Sequence, residues 1–491
     1  MFPIDRFLHF DSGYRVLNGA NPFSDFWTVS GPFINYMQAI FFYIFGVNWN
    51  SYLLHASFIN ASATLFTFFV LKNFKLNTNF CFLYSFLFSI LAYTTSGTPF
   101  VDYHSAFFSL FGMYSLLLAI NKKSKIYFIL IPIFLGLAFL SKQVPAFYVI
   151  LFVSFILILN SIINKKIYYL NYSFISSIIF ILLILLFGKL QGIKLSAFIE
   201  QYILYPQTIG SERLDSFNFT FGGVFGHFKF IYFVSLPLFY IYLKKIFNTK
   251  KYIKSDESLI FLTLILFTFS FIFHQLLTKN QTFIFFLIPV LAAFSHIHLN
   301  NINFKFKNFF YGIIIFLCIF SVFKYHLRFN EKRKFHELTN VNFQLSKPAS
   351  NINKKFMGLN WITPEFSNQP QKEIDIINQI KLHLKQDDRN KMLITNYTFF
   401  SAILEENLFA PSWAFSDDGT THPVGDNKYT KNYSRLMIEI IEKNKILVIY
   451  IAGSLGDKHI YNYINQNCFK ENLLSSYLKS FELKNCTDIK G

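Results

Sequence analysis

The first thirty-one residues, MFPIDRFLHFDSGYRVLNGANPFSDFWTVSG, hold most of the side chains able to do chemistry ahead of a strongly apolar region. They include the carboxylates Asp5, Asp11 and Asp25, the arginines Arg6 and Arg15, and His9. A carboxylate at a membrane–water boundary is partly desolvated, which raises its pKa and suits it to take a proton from an attacking hydroxyl. Cations beside it suit an anionic leaving group. Asp5 is the first candidate base, Asp25 the second, and Arg6 a candidate anion ligand. The competing reading makes these carboxylates turn and cap residues, Asp25 above all, because Asp readily bonds nearby backbone.

Further candidates lie along the chain. In TSGTPFVDYHSAFF (95–108), Asp102 and His104 open an apolar helix. Asp102 is either a second acidic group of the site or a residue favoured by the helix dipole. With His104 it makes too small a set for a metal. Lys142-Gln143 interrupts an apolar hairpin, and Lys142 either snorkels to the headgroups or binds a phosphate. Arg213 and Lys279 are similar phosphate candidates. Tyr205 stands in the long polar loop 189–227, and His274 with Gln275 either contacts a substrate or bonds neighbouring helices.

The elements that must position these residues are apolar. Of 491 residues 53% are hydrophobic, 20% aromatic and only 15% charged, and Phe alone accounts for 68. The mean hydropathy is +0.37. A soluble domain carries about 25% charged residues, so the chain is an α-helical multispan membrane protein. Runs of about 20 apolar residues suffice to cross a bilayer. They fall near 51–72, 80–97, 101–120, 126–142, 145–163, 168–188, 228–243, 258–278, 283–299 and 309–326. Residues 32–47 are either a shorter span or an interfacial helix, giving about 10–11 membrane-associated helices in all.

The formal charge of +18 does not point to nucleic acid, because the lysines sit in short clusters between apolar runs. That is a topology signal: Lys-rich loops are cytoplasmic. The rule places the loops 97–101, Lys142-Gln143, 189–227 and 278–282 outside. A cluster at Lys324, Arg328 and 332–334 runs against this scheme, although long domains translocate largely regardless of charge.

From 328 to 491 the composition turns polar and predicts a soluble α/β domain. Helices are expected over 372–386 and 431–444 and strands over 391–400 and 446–453, with parallel pairing. The Gly453-Ser454-Leu455-Gly456 turn lacks the spacing of a phosphate loop. Cys468 and Cys486 pair if this domain is extracytoplasmic and their distance allows it; Cys81 and Cys318 sit in apolar segments. The expected division is 1–31 catalytic loop, 32–327 membrane domain and 328–491 soluble domain.

The N-terminal pattern resembles the first extracytoplasmic loop of GT-C superfamily glycosyltransferases, including the aminoarabinose and protein O-mannosyl transferases. That loop has an acidic residue, an aromatic, a G-x-x-P-[YF]-x-D turn and a Pro before a juxtamembrane helix. Here these are Asp5, Phe7, Gly19-Ala20-Asn21-Pro22-Phe23-Ser24-Asp25 and Pro32, and a weaker likeness runs on to about residue 327. Two departures stand out. Asp5-Arg6 replaces the family's frequent Asp-Glu pair, and the family's helix before the loop has no counterpart. Residues 1–31 also lack the apolar core of a cleavable leader. Either an upstream helix is missing from this sequence or 32–47 spans and the N-terminus is cytoplasmic; the missing helix is the expectation, because the loop would otherwise face the wrong compartment.

The resemblance implies an inverting transferase, with an Asp as base and a polyprenyl-phosphate sugar as donor. The acceptor is a cell-envelope glycan, lipid or protein, and the site faces outward from a bacterial inner membrane. No metal site is predicted and the sequence establishes no cofactor, while a divalent cation remains compatible. The sequence lacks a Gly-rich nucleotide loop and a Ser/His/Asp nucleophile pattern, which disfavours a nucleotide-sugar donor. A transporter or flippase of lipid-linked saccharides is the alternative, and would call for matched broken helices in an inverted repeat. A polymerase or ligase would call for a late loop rich in Arg and His, and 189–227 offers one of each. A structural membrane protein with an active C-terminal domain is the remaining option.

Overall fold

Pro3, Asp5, Arg15 and Asn18-Gly19 together make a short helix where a loop is expected. The computed structural model describes residues 3–92, 97–209, 220–248, 250–278, 284–301, 306–331, 338, 341–416, 418–453, 460–484 and 486. Its first element, α1, spans Pro3–Leu17. The helix has an acidic residue in its first turn and Arg15 in its last, matching the macrodipole at both ends. It ends at Gly19, whose φ of +87° favours glycine, as Ala20 donates to the Arg15 carbonyl. Helix ends of this kind are local signals, and they outweigh the polar composition that suggested a loop.

After α1 come α2 (Pro32–Phe45), α3 (Trp49–Asn73), α4 (Thr78–Ala92), α5 (Val101–Lys122), α6 (Lys125–Ser141), α7 (Gln143–Asn164) and α8 (Tyr168–Leu190). A helical stretch over 195–209 includes a π-helical turn, Ile199–Leu204. Then follow α9 (His227–Asn248), α10 (Asp256–Thr278), α11 (Leu287–Asn300) and α12 (Lys307–His326). Among the described residues 7 helices are long and apolar enough to cross a membrane, and four shorter apolar helices accompany them. The chain is a multispan helical membrane protein with a small C-terminal sheet, as its apolar runs predicted.

Two compact units divide the chain. One comprises 56–184 and 213–334. There α5 packs against α6, α7 and α10, and is buried along its whole apolar length. Close approach of α5 to α6 depends on Gly112, where an added Cβ would lie 2.6 Å from the Leu135 side chain. The unit's remaining helices pair as α9 with α11 and α11 with α4 and α12.

The other unit joins 1–55 and 185–212 to 335–491, which cuts across the expected division at 31 and 327. Its strands are β1 (Lys347–Pro348), β2 (Asn360–Trp361), β3 (Lys391–Thr395), β4 (Val448–Ala452), β5 (Phe469–Ser475) and β6 (Leu478–Leu483). The main sheet runs β3-β4-β6-β5. The expected parallel pair is present, Leu393 opposite Tyr450, but β6 joins β4 antiparallel and closes a hairpin with β5. The expected strand 391–400 stops at Thr395, and a short helix, α14 (Phe400–Leu404), follows. Helices α13 (Pro370–Gln386) and α15 (Thr430–Lys443) complete the layer.

Successive strand residues point to opposite faces, and both faces of β3 and β4 are buried. Leu393, Val448 and Tyr450 share a core with Ile374 and Ile377 of α13 and with Phe7 and Phe10 of α1. Met392, Ile394, Ile449 and Ile451 share another with Met437 and Ile441 of α15, Trp27 and Tyr205. Full burial of an aromatic side chain such as Phe7 or Phe10 contributes about 1.5–3 kcal/mol. The N-terminal segment therefore contributes to both cores of the C-terminal layer. A disulfide joins Cys468 to Cys486.

Candidate functional site

Asp5 occupies the first turn of α1 and is exposed, with Arg6 half-buried next to it. Phe7 and Phe10, two and five residues on along the same helix, are fully buried and anchor it. Asp25 is held differently. Its Oδ2 accepts the Asn21 backbone N–H at 2.8 Å, and its Oδ1 lies 3.0 Å from the Lys443 ammonium. This is the turn-forming arrangement, with a cation added from α15.

The turn around Asp25 is clamped from outside. Phe23 sits at φ +71°, a region that non-glycine residues rarely adopt. Gln201 holds it there, donating to the Phe23 carbonyl at 2.9 Å while its Oε1 accepts the Thr28 N–H at 3.1 Å. Tyr36 adds a bond to Asn21 at 3.1 Å. Tyr205, from the same helical stretch as Gln201, is fully buried and donates its hydroxyl to the Gly419 carbonyl. Tyr205, expected as a ligand residue, thus has its hydroxyl engaged by a backbone carbonyl.

On the inner face of α1 lie two charged residues. Asp11 is buried, and it lines a small cavity together with Ser401 at the start of α14. Burial pushes the Asp11 carboxyl up, opposed by Arg15 and by the Ser401 donors. Arg15 is 4% exposed; its Nη1 donates to the Ser412 carbonyl at 3.1 Å and its Nη2 to the Ala410 carbonyl at 2.6 Å. The guanidinium also lies 4.0 Å from the centre of the Phe26 ring. Asp11, Thr395, Tyr397, Thr398, Ser401 and Trp413 help line a cavity of about 20 Å³, room for one water molecule. The i, i+4 spacing of Asp11 and Arg15 was the available signal that one helix face carries both.

In the other unit, Asp102 and Lys142 meet. The Lys142 ammonium is 2.7 Å from each Asp102 carboxylate oxygen. Lys142 marks the break between α6 and α7, where the backbone is extended, and its carbonyl accepts the Ser105 hydroxyl at 3.3 Å. His104 is buried and donates Nδ1–H to the Phe100 carbonyl at 3.0 Å. Gln143 opens α7 and is half-buried. His274 is buried in α10, its Nδ1 accepting from Gln275 at 3.1 Å. Arg213 and Lys279 lie outside the described residues. Among the described residues no three of His, Cys, Asp and Glu gather as metal ligands.

Residues 29–185 match the family model of dolichyl-phosphate-mannose-protein mannosyltransferase. The match agrees with the GT-C resemblance over that segment, and it begins just after the N-terminal carboxylates. A solved structure of the archaeal oligosaccharyltransferase AglB from Archaeoglobus fulgidus, in complex with an inhibitory peptide and a dolichol-phosphate, is similar at 13% identity and a TM-score of 0.40. The similarity covers 91% of this chain and 65% of that one, so this chain spans just under two thirds of its length. No curated protein matches the chain.

Proposed function

We propose that this chain transfers a sugar from a polyprenyl-phosphate donor to a cell-envelope glycan, lipid or protein on the outer face of a bacterial inner membrane. The observation that carries the reading is the mannosyltransferase family match over 29–185, joined to the exposed carboxylate at the head of α1. Asp5 takes the acceptor hydroxyl's proton while the sugar's anomeric carbon exchanges its bond to the donor phosphate for one to the acceptor oxygen. Attack from the face opposite the phosphate inverts that carbon. Arg6 stands next to Asp5 in the sequence as a cation for the departing phosphate, with Lys142, Arg213 and Lys279 as further candidates. Asp25 and Asp102, each held by a lysine, serve as positioning carboxylates, and Gln143, His104, His274 and Tyr205 as supporting groups.

The Cys468–Cys486 disulfide supports an outward-facing C-terminal domain, since such bonds persist in oxidising compartments. The test is transfer in vitro from a panel of labelled polyprenyl-phosphate sugars, mannose first, with the full chain in lipid. Asp5→Asn is expected to abolish transfer while leaving expression and the melting midpoint intact. Wild-type turnover by that variant removes Asp5 from the mechanism, and no transfer from any donor by the wild type removes the transferase reading.

A further inference from the structure

The candidate base rides on a helix whose inner face is bonded to the C-terminal layer. We infer that Arg15, with Asp11 beside it, is the positioning residue that fixes α1 on that layer and so sets where Asp5 stands. The inference deepens the transferase reading and rests on it for the role of Asp5. Its geometric half, that the C-terminal layer holds α1, stands independently.

The anchoring adds polar bonds to the apolar packing of Phe7 and Phe10. Arg15 binds two carbonyls of the segment 410–412, as described above. The same segment pairs with the N-terminal chain through its backbone: Trp27 donates to the Pro411 carbonyl and Trp413 to the Trp27 carbonyl, each at 2.9 Å. Asp11, one turn earlier on α1, lines the same small cavity as Ser401 and Ser412. Carbonyls 410 and 412 are bound to a planar guanidinium from two of its nitrogens, a geometry that a lysine ammonium cannot reproduce. Removing the guanidinium leaves the carbonyls of buried Ser412 and half-buried Ala410 without this donor, which weakens the seat of α1 rather than its helical structure. Arg15 lies ten residues beyond Asp5 in sequence and is buried against the 410–412 segment, so it acts through the helix and not on substrate.

The test compares the wild-type full chain in lipid nanodiscs with Arg15→Met and the milder Arg15→Lys, by hydrogen exchange and by steady-state transfer from labelled polyprenyl-phosphate mannose. Arg15→Met is expected to speed amide exchange of the α1 peptides at least tenfold while β3 and β4 peptides keep their protection. Its kcat is expected to fall at least tenfold with the donor KM within twofold, and Arg15→Lys to fall between the two. Unchanged α1 exchange in both variants overturns the anchor. Faster exchange with unchanged kcat overturns the positioning role. Should Arg15→Met fail to fold, the same criteria apply to Arg15→Lys. If Asp5→Asn retains turnover, the transferase assignment of Asp5 fails, while the exchange result still decides whether the C-terminal layer holds α1.

Discussion

Lys142 and Asp102, 40 residues apart in sequence, form a two-pronged ion pair in which Nζ lies 2.7 Å from each carboxylate oxygen. The side chains are 22% and 6% exposed. Asp102 therefore does more than face a helix dipole, and Lys142 does more than snorkel. Each meets the charge that burial of the other would leave uncompensated.

Breaking the pair should cost more than removing it. A fully buried pair stripped of one partner loses about 3–5 kcal/mol, and the partial exposure of Lys142 reduces this to about 2–3 kcal/mol. Asp102→Asn should lower the thermal midpoint of the purified chain, and Asp102→Asn combined with Lys142→Met should recover most of the loss. If the recovered double variant also loses donor binding, Lys142 contacts the phosphate; if it keeps donor binding, the pair is structural.

His9 makes stability depend on acid. It is fully buried on α1, donates Nδ1–H to Asn35 Oδ1 at 2.9 Å, and has no partner for Nε2. Burial lowers its pKa from 6.5 to about 4, with the Asn35 bond opposing. The unfolded chain thus binds this proton more readily than the folded one. The contribution is fully present above pH 6.5 and is lost as pH falls from there toward 4, about 3 kcal/mol in all. His9→Gln should flatten that part of the profile. Denaturant unfolding of both chains from pH 7.5 to 4 checks it, and parallel profiles would exclude His9.

The membrane helices were legible because each is a long apolar run; the expected span at 51–72 is the helix Trp49–Asn73, and that at 309–326 is Lys307–His326. The strands β3 and β4 were legible for the same reason, being buried on both faces. The hairpin β5–β6 was not, because FKENLLS interleaves charge with leucine on an edge strand. At the site, Asp5 and Asp25 stood out by pattern. Their surroundings did not, since Lys443 reaches Asp25 across 418 residues and Arg15 reaches Ala410 across 395. Only the fold brings such pairs together. The polar composition of residues 1–31 suggests a loop, because composition says little about a helix whose apolar face is short and whose packing partners lie far along the chain.

The compartment of the C-terminal layer can be decided by its cysteines. Cys468 and Cys486 are bonded, while Cys81 and Cys318 are buried thiols. If the layer faces the oxidising side, intact cells should show no labelling of Cys468 or Cys486 by a membrane-impermeant maleimide until a reductant is added. A reporter fused after residue 491 should then be active only in its extracytoplasmic form. The bond closes an 18-residue separation, for which chain-entropy reasoning gives about 3 kcal/mol, so Cys486→Ser should lower the melting midpoint of the layer. Labelling of both cysteines without reductant, together with a cytoplasmic reporter signal, would invert the loop assignment and place Asp5 on the side where no lipid-linked donor is proposed.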